Sequence, residues 1–133
     1  MYMYLANLYD KLFKVFKTHD NIYLAIDFDD TIYDWKSKGY TCNLVVDLVK
    51  RCQDKLNAKV LLYTCRQGEA LEEAVDYCKA VGINLYGVND NPDYPKNGSK
   101  MYYNVLLDDK ASLPETCAVL ETLLYNLFEK SES

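Results

Sequence analysis

The sequence predicts an α/β fold in which a parallel sheet is covered by helices on both faces, as in a three-layer, Rossmann-like sandwich. Short apolar runs of strand-forming residues alternate with longer segments whose apolar positions recur at helical spacing. These longer segments are able to carry the chain from the end of one strand to the start of a parallel neighbour. Because no repeat or linker interrupts this pattern, residues 1–133 are expected to form a single domain.

The first half of the chain predicts two helices and two strands. An amphipathic helix over 2–17 carries one apolar stripe, so the N-terminal segment 1–20 is expected to pack on the core of the domain. The first strand covers 22–27 and is apolar throughout until its last residue, as is typical of a strand buried on both faces. A helix over 42–57 leads to the second strand, 59–64.

The second half of the chain repeats the alternation and adds a long polar loop. A helix over 69–81 is expected to end at Gly82, in the left-handed conformation common after helix C-termini. The third strand, 83–88, is separated by the polar loop from the fourth strand, 102–107. The last helix begins at Ser112, where the spacing of a serine and a glutamate predicts a capping box.

Composition narrows the functional classes. The net charge of −5 argues against nucleic-acid partners, which need a basic surface. No apolar run approaches the roughly 20 residues of a transmembrane helix, and the first residues lack the pattern of a signal peptide. Five cysteines without a C-x-x-C pair, together with one histidine, predict reduced thiols in a cytoplasmic protein and no zinc site.

Acidic residues follow the first and the last predicted strands. Asp27, Asp29 and Asp30 end the first strand, and Asp108 and Asp109 end the fourth. Because parallel strands end at the same edge of a sheet, these carboxylates are expected to converge. In a regular strand the first two acids, two residues apart, would share one face. Several carboxylates need a counter-charge, and Mg²⁺ is a cation that prefers oxygen ligands.

Groups able to bind phosphate follow the second strand and the polar loop. Thr64 ends the second strand, and the backbone amides of Cys65 and Arg66 follow at the start of the next helix, where anions are favoured. Lys100 would balance the charge of a phosphate, with Lys96 as the alternative lysine. The Arg66 side chain has two interpretations, an ordinary surface residue or a contact with the part of the substrate beyond the phosphate. These groups predict a small phosphorylated substrate at the acidic edge.

The chemistry indicated by these residues is phosphoryl transfer. Asp27 would accept the phosphoryl group as an aspartyl phosphate, and Asp29 would protonate the leaving oxygen and later deprotonate water. An EF-hand does not explain the acidic motif, because Ile32 stands where the calcium loop needs glycine and Lys38 where it needs glutamate.

Taken together, these residues resemble the haloacid dehalogenase superfamily, on its phosphatase side, over about residues 22–111. The D-x-D-x-T motif stands at 27–31, a strand ending in threonine at 60–64, and the acidic V-L-L-D-D motif at 105–109. Smaller features, such as Y-T-C-R-Q-G and the N-D-N-P loop, also look like a group of small bacterial and phage hydrolases in this superfamily.

The resemblance implies a role for each matching residue. Asp27 would be the nucleophile and a metal ligand, and Asp29 the general acid and base, with its backbone carbonyl on Mg²⁺. Asp108 would be a further metal ligand, assisted by Asp109. Thr64 and Lys100 would bind the phosphate.

The segments between these motifs are too short for the cap domain that many members carry, so the resemblance implies an open site or one covered by a second copy of the chain. Nucleotides and sugar phosphates are the expected substrates, with a polynucleotide 3′-phosphate as a further alternative. The competing hypothesis is a catalytically silent module that binds phosphate or a partner.

Overall fold

The computed structural model describes residues 2–36, 42–95 and 100–130, and within these ranges the chain forms four α-helices and four strands. The helices are α1 (Tyr2–His19), α2 (Cys42–Lys55), α3 (Gly68–Ala80) and α4 (Leu113–Leu124), and α4 continues into a π-helical segment, Tyr125–Glu129. The strands are β1 (Tyr23–Asp27), β2 (Lys59–Tyr63), β3 (Leu85–Val88) and β4 (Val105–Leu107).

All four strands are parallel and lie in the order β3-β2-β1-β4, so the predicted Rossmann-like α/β fold is confirmed. The central strand is β1, in which Ala25 lies opposite Leu61 on one side and Leu106 on the other. The middle residues of β1 are fully buried, which explains why its sequence is apolar without alternation. Its last residue, Asp27, is paired with Tyr63, so both strands end at the same edge.

One face of the sheet carries the main hydrophobic core. Leu24 and Ile26 of β1 point into it, and all four helices contribute to the same cluster. Leu12 and Phe16 of α1 belong to this core, where Phe16 contacts Phe128 edge to face at 6.0 Å between ring centroids. None of the described helices combines the length and apolar character needed to cross a membrane.

The opposite face is covered by the connection between β3 and β4. Met101 from this connection packs on Ala25 and Leu61 in a second, smaller cluster. The rings of Tyr94 and Tyr102 lie 4.4 Å apart and each contacts the ring of Tyr23 edge to face. Three of the 13 tyrosines of the chain therefore form an aromatic cluster on this side of the sheet.

Asp93 anchors this connection to the sheet. Its carboxylate accepts hydrogen bonds from the hydroxyls of Tyr23 and Tyr86, both at 2.6 Å, and from the Lys59 ammonium at 3.0 Å. These bonds lower the pKa of Asp93 to about 2. The backbone at Asp90 lies close to Gly87, and only glycine fits there, because a Cβ atom would lie 2.2 Å from the Asp90 backbone oxygen.

Two predictions about helix ends have opposite outcomes. Gly82 has φ +93°, and its amide and that of Ile83 bond to carbonyls in the last turn of α3, so the predicted left-handed cap is confirmed. The predicted capping box at Ser112 is wrong. Ser112 has φ +55° and its side chain caps nothing, because a capping serine needs an extended backbone.

β4 begins three residues later than the predicted start at 102. The reason is Asn104, whose side-chain oxygen accepts a hydrogen bond from the Tyr23 amide at 2.7 Å. The Asn104 amide in turn donates to the Tyr23 carbonyl at 2.9 Å. A side chain thus replaces one rung of the ladder, and regular pairing starts only at Val105.

Candidate active site

A cleft of about 590 Å³ lies at the carboxyl edge of the sheet. Its walls come from the residues that follow β1, β2 and β4, which are the three positions where the sequence placed polar groups. The lining residues are Asp27, Asp29, Asp30, Trp35, Lys36, Tyr63, Thr64, Cys65, Arg66, Asp108, Asp109 and Lys110. Every predicted site residue except Lys100 therefore lines this one cleft.

Three carboxylates form an acidic triad at the base of the cleft. One oxygen from each of Asp27, Asp108 and Asp109 lies within 4.8 Å of the others. The buried Thr31 joins the two ends of the triad. Its hydroxyl donates to Asp27 Oδ2 at 3.2 Å and accepts a hydrogen bond from the Asp109 amide at 2.9 Å. Sequence reasoning quoted Thr31 only as part of a motif and gave it no role.

The triad carries more negative charge than its surroundings balance. Burial, and then repulsion from Asp108, raises the pKa of Asp27 from its ordinary value of 3.8 to about 7, and Asp109 adds to the effect. The Thr31 hydrogen bond acts in the opposite direction but does not compensate. Oxygen donors that crowd together in this way fit a hard divalent cation such as Mg²⁺.

Asp29 does not join the triad. β1 ends at Asp27, so the two acids do not share a strand face as the regular-strand argument predicted. The Asp29 carboxylate instead accepts two hydrogen bonds from the Arg66 guanidinium, from Nε at 3.1 Å and Nη2 at 2.8 Å. This bidentate ion pair raises the pKa of Arg66.

An aromatic wall holds the Arg66 guanidinium in place. Its central carbon lies 4.7 Å from the ring centroid of Phe28, 5.6 Å from that of Trp35 and 5.7 Å from that of Tyr33. Stacking of this kind, with a bidentate partner, uses properties of arginine that lysine lacks. In this structure the Arg66 side chain fixes the position of Asp29.

Asp30 shapes the turn after β1. It has φ +61°, and its carboxylate accepts a hydrogen bond from the Lys36 amide at 3.1 Å. The Lys36 ammonium lies 3.7 Å from the same carboxylate. Asp30 thus has a cationic partner within its own loop.

The loop after β2 is organised by Asn89, a residue that sequence reasoning missed. Asn89 has φ +54°, and its side-chain oxygen accepts a hydrogen bond from the Thr64 amide at 2.9 Å. The Thr64 hydroxyl accepts a bond from the Arg66 amide at 3.1 Å. α3 starts only at Gly68, so Cys65 and Arg66 precede the helix rather than begin it. The position of Asn89 in the polar N-D-N-P loop was the available signal.

The lysines are distributed differently from the prediction. Lys100 is exposed and lines a neighbouring cleft, whereas Lys36 and Lys110 line the cleft of the triad. Lys96, the alternative predicted lysine, lies outside the described residues. Lys110 directly follows the acidic pair in the chain, and this adjacency was the sequence signal for it.

Comparisons with known proteins support the fold alone. A solved structure, described as a conserved protein coded by a locus from Bacteroides thetaiotaomicron, is similar to this chain, with a TM-score of 0.63 and 26% sequence identity. The alignment covers 80% of this chain and 92% of that protein. No protein-family model matches the chain, and no curated protein matches it significantly.

Proposed function

We propose that this protein is a Mg²⁺-dependent phosphatase that hydrolyses small phosphate monoesters through an aspartyl phosphate on Asp27. The observation that carries the proposal is the acidic triad, because carboxylates from two strand ends that lie this close together are suited to holding a metal beside a phosphoryl group. The D-x-D-x-T motif at 27–31 supports the same conclusion.

Asp27, Asp108 and Asp109 would hold the metal, because their oxygens already lie within 4.8 Å of one another. The backbone carbonyl of Asp29 is a further ligand in the proposal. A bound Mg²⁺ would offset the negative charge of the triad and of the phosphate, so that a carboxylate nucleophile is able to approach an anionic substrate.

The protein's own residues would perform the two chemical steps. In the first, an Asp27 oxygen forms a bond to phosphorus as the bond from phosphorus to the leaving oxygen breaks, and Asp29 supplies the proton that the leaving oxygen takes up. In the second, Asp29 removes a proton from water, whose oxygen attacks phosphorus and releases Asp27 and inorganic phosphate. Thr64 and the Cys65 amide would bind phosphate oxygens.

The ion pair with Arg66 bears on both steps. In the second step the Asp29 carboxylate that Arg66 positions would act as the base. For the first step Asp29 has to carry a proton, so the pair has to loosen when the substrate is bound. Arg66 would then be free to contact the phosphate or the group attached to it.

The test is a screen of phosphorylated metabolites with and without Mg²⁺, with Asp27→Asn as the blank. We expect metal-dependent release of phosphate that falls at least about a thousandfold in the variant, because an amide does not replace a carboxylate nucleophile. Asp76→Asn, at an exposed position on α3, is the matched control and should retain full activity. Turnover that survives Asp27→Asn would contradict the mechanism.

The Asp29–Arg66 pair also favours one alternative, a module that binds phosphate without turning it over, because Arg66 occupies both oxygens of the Asp29 carboxylate. This alternative predicts Mg²⁺-dependent binding of phosphate esters, measured by calorimetry, with no release of phosphate from any member of the panel. Nucleotides and sugar phosphates are the substrates expected for the enzyme. A polynucleotide 3′-phosphate is disfavoured by the net charge of −5.

A further inference from the structure

A second cleft, of about 800 Å³, adjoins the cleft of the triad. Tyr63 and Asp108 line both, so the two clefts are neighbours. Tyr102, Tyr103 and Lys100 line the second cleft, which we call the tyrosine cleft. Its volume lies within the range of sites that enclose small-molecule ligands. A substrate whose phosphoryl group meets the triad would extend into it.

The tyrosine rings of this cleft are accessible. Tyr63 is 47% exposed, Tyr102 45% and Tyr103 36%. Within the part of the chain that the structure describes, the rings of Tyr63 and Tyr103 stack on no other aromatic ring, and their hydroxyls form no hydrogen bonds. Large apolar rings left open beside a polar site mark a surface that is suited to a ligand.

We propose that the tyrosine cleft binds the leaving group of the substrate, and that this group is a nucleoside, so that the substrate is a nucleoside monophosphate. The inference rests on the proposed function and deepens it. A nucleobase has a flat π-face for a tyrosine ring and polar edges for the free hydroxyls. A sugar phosphate has no such face, and it would leave the rings in water.

The size and charge of the cleft favour a nucleoside over a simple aryl group. A single phenyl ring would occupy a small part of about 800 Å³, whereas a ribose and a base would fill more of it. Lys100, the lysine that sequence reasoning gave to the phosphate, would instead face the polar edge of the base or a second anionic group.

The first measurement uses binding, which does not depend on turnover. Adenosine and ribose are titrated into the wild-type protein, and AMP and ribose 5-phosphate into Asp27→Asn with Mg²⁺, each by calorimetry. Stacking on one aromatic side chain typically changes affinity roughly five- to hundredfold. We therefore expect each base-containing ligand to bind at least about tenfold more tightly than its base-free partner.

The second measurement locates the base. Tyr103→Leu keeps an apolar side chain but removes the ring, and it should reduce the preference for AMP over ribose 5-phosphate at least about fivefold. Tyr125→Leu replaces a tyrosine on the π-helical segment that lines neither cleft and is 47% exposed, against 36% for Tyr103, and it should leave the preference unchanged. Thermal melts by circular dichroism establish that both variants fold.

Equal affinity for AMP and ribose 5-phosphate would overturn the inference, and so would a preference that Tyr103→Leu leaves intact. Phenyl phosphate bound as tightly as AMP would also overturn it, because an aryl group alone would then suffice. If instead the proposed phosphatase function is wrong, adenosine should still bind the cleft but no phosphate ester should be hydrolysed.

Discussion

Replacing Asp27 with asparagine should stabilise the metal-free protein at neutral and alkaline pH. The Asp27 carboxyl has a pKa of about 7 in the folded chain, against an ordinary value of 3.8, because it is partly buried beside Asp108. The folded state therefore binds a proton that the unfolded state releases, so the free energy of unfolding falls as pH rises from about 4 to about 7. Asparagine has the same shape and no charge, so it removes this loss.

The magnitude follows from the size of the pKa shift. A change of about three units corresponds to roughly 4 kcal/mol at pH 8, at about 1.4 kcal/mol per unit. Asp27 is only partly buried, so solvent screening reduces this figure to about 2 kcal/mol. For a chain of 133 residues, a gain of 2 kcal/mol raises the melting temperature by about 6–10 °C.

The assay is thermal unfolding followed by circular dichroism in EDTA, at pH 4.5 and at pH 8, for wild type, Asp27→Asn and the control Asp76→Asn. Wild type and Asp27→Asn should unfold at nearly the same temperature at pH 4.5. At pH 8 the melting temperature of Asp27→Asn should be the higher of the two. Adding Mg²⁺ at pH 8 should raise the melting temperature of wild type and reduce the difference, because the metal replaces the missing counter-charge.

Two results would refute the reasoning. If Asp27→Asn is less stable than wild type at pH 8 in EDTA, the ionised triad does not destabilise the folded state. If Asp76→Asn shows the same gain, the effect reflects the net charge of the chain and not the geometry of the triad.

Three further predictions concern the supports of the site. Arg66→Met should lower kcat/KM about tenfold, because Asp29 loses its bidentate partner, and Arg66→Lys should lower it less. Unchanged steady-state kinetics in both variants would contradict the role of the ion pair. Asn89→Ala should lower the free energy of unfolding in urea by about 2 kcal/mol, because alanine loses the hydrogen bond to Thr64 and disfavours φ +54°. Asn89→Gly loses only the hydrogen bond and should cost about 1 kcal/mol; equal costs would show that the positive φ contributes nothing. Gly87→Ala should cost about 3 kcal/mol, because its Cβ would lie 2.2 Å from a backbone oxygen, and an unchanged urea midpoint would show that the connection after β3 yields easily.

The sequence alone determined the sheet and the location of the site. An unbroken apolar strand such as β1 has to be buried on both faces, and helices of ten or more residues between such strands require parallel neighbours. Parallel strands end at one edge, so acids after β1 and β4 had to approach each other. Asp27 and Asp108 lie close together for this reason. The left-handed conformation of Gly82 after α3 was also predictable, because it depends on the local sequence alone.

The tertiary structure decided how individual side chains are used. Asp29 and Arg66 are 37 residues apart, and no periodicity predicts that they form a bidentate pair against Phe28. The conformation of the loops beyond each strand depends on hydrogen bonds between distant segments, such as the one from the Thr64 amide to Asn89. Strand and helix patterns repeat along the chain and can be read locally, whereas a loop takes the one conformation that its remote partners permit.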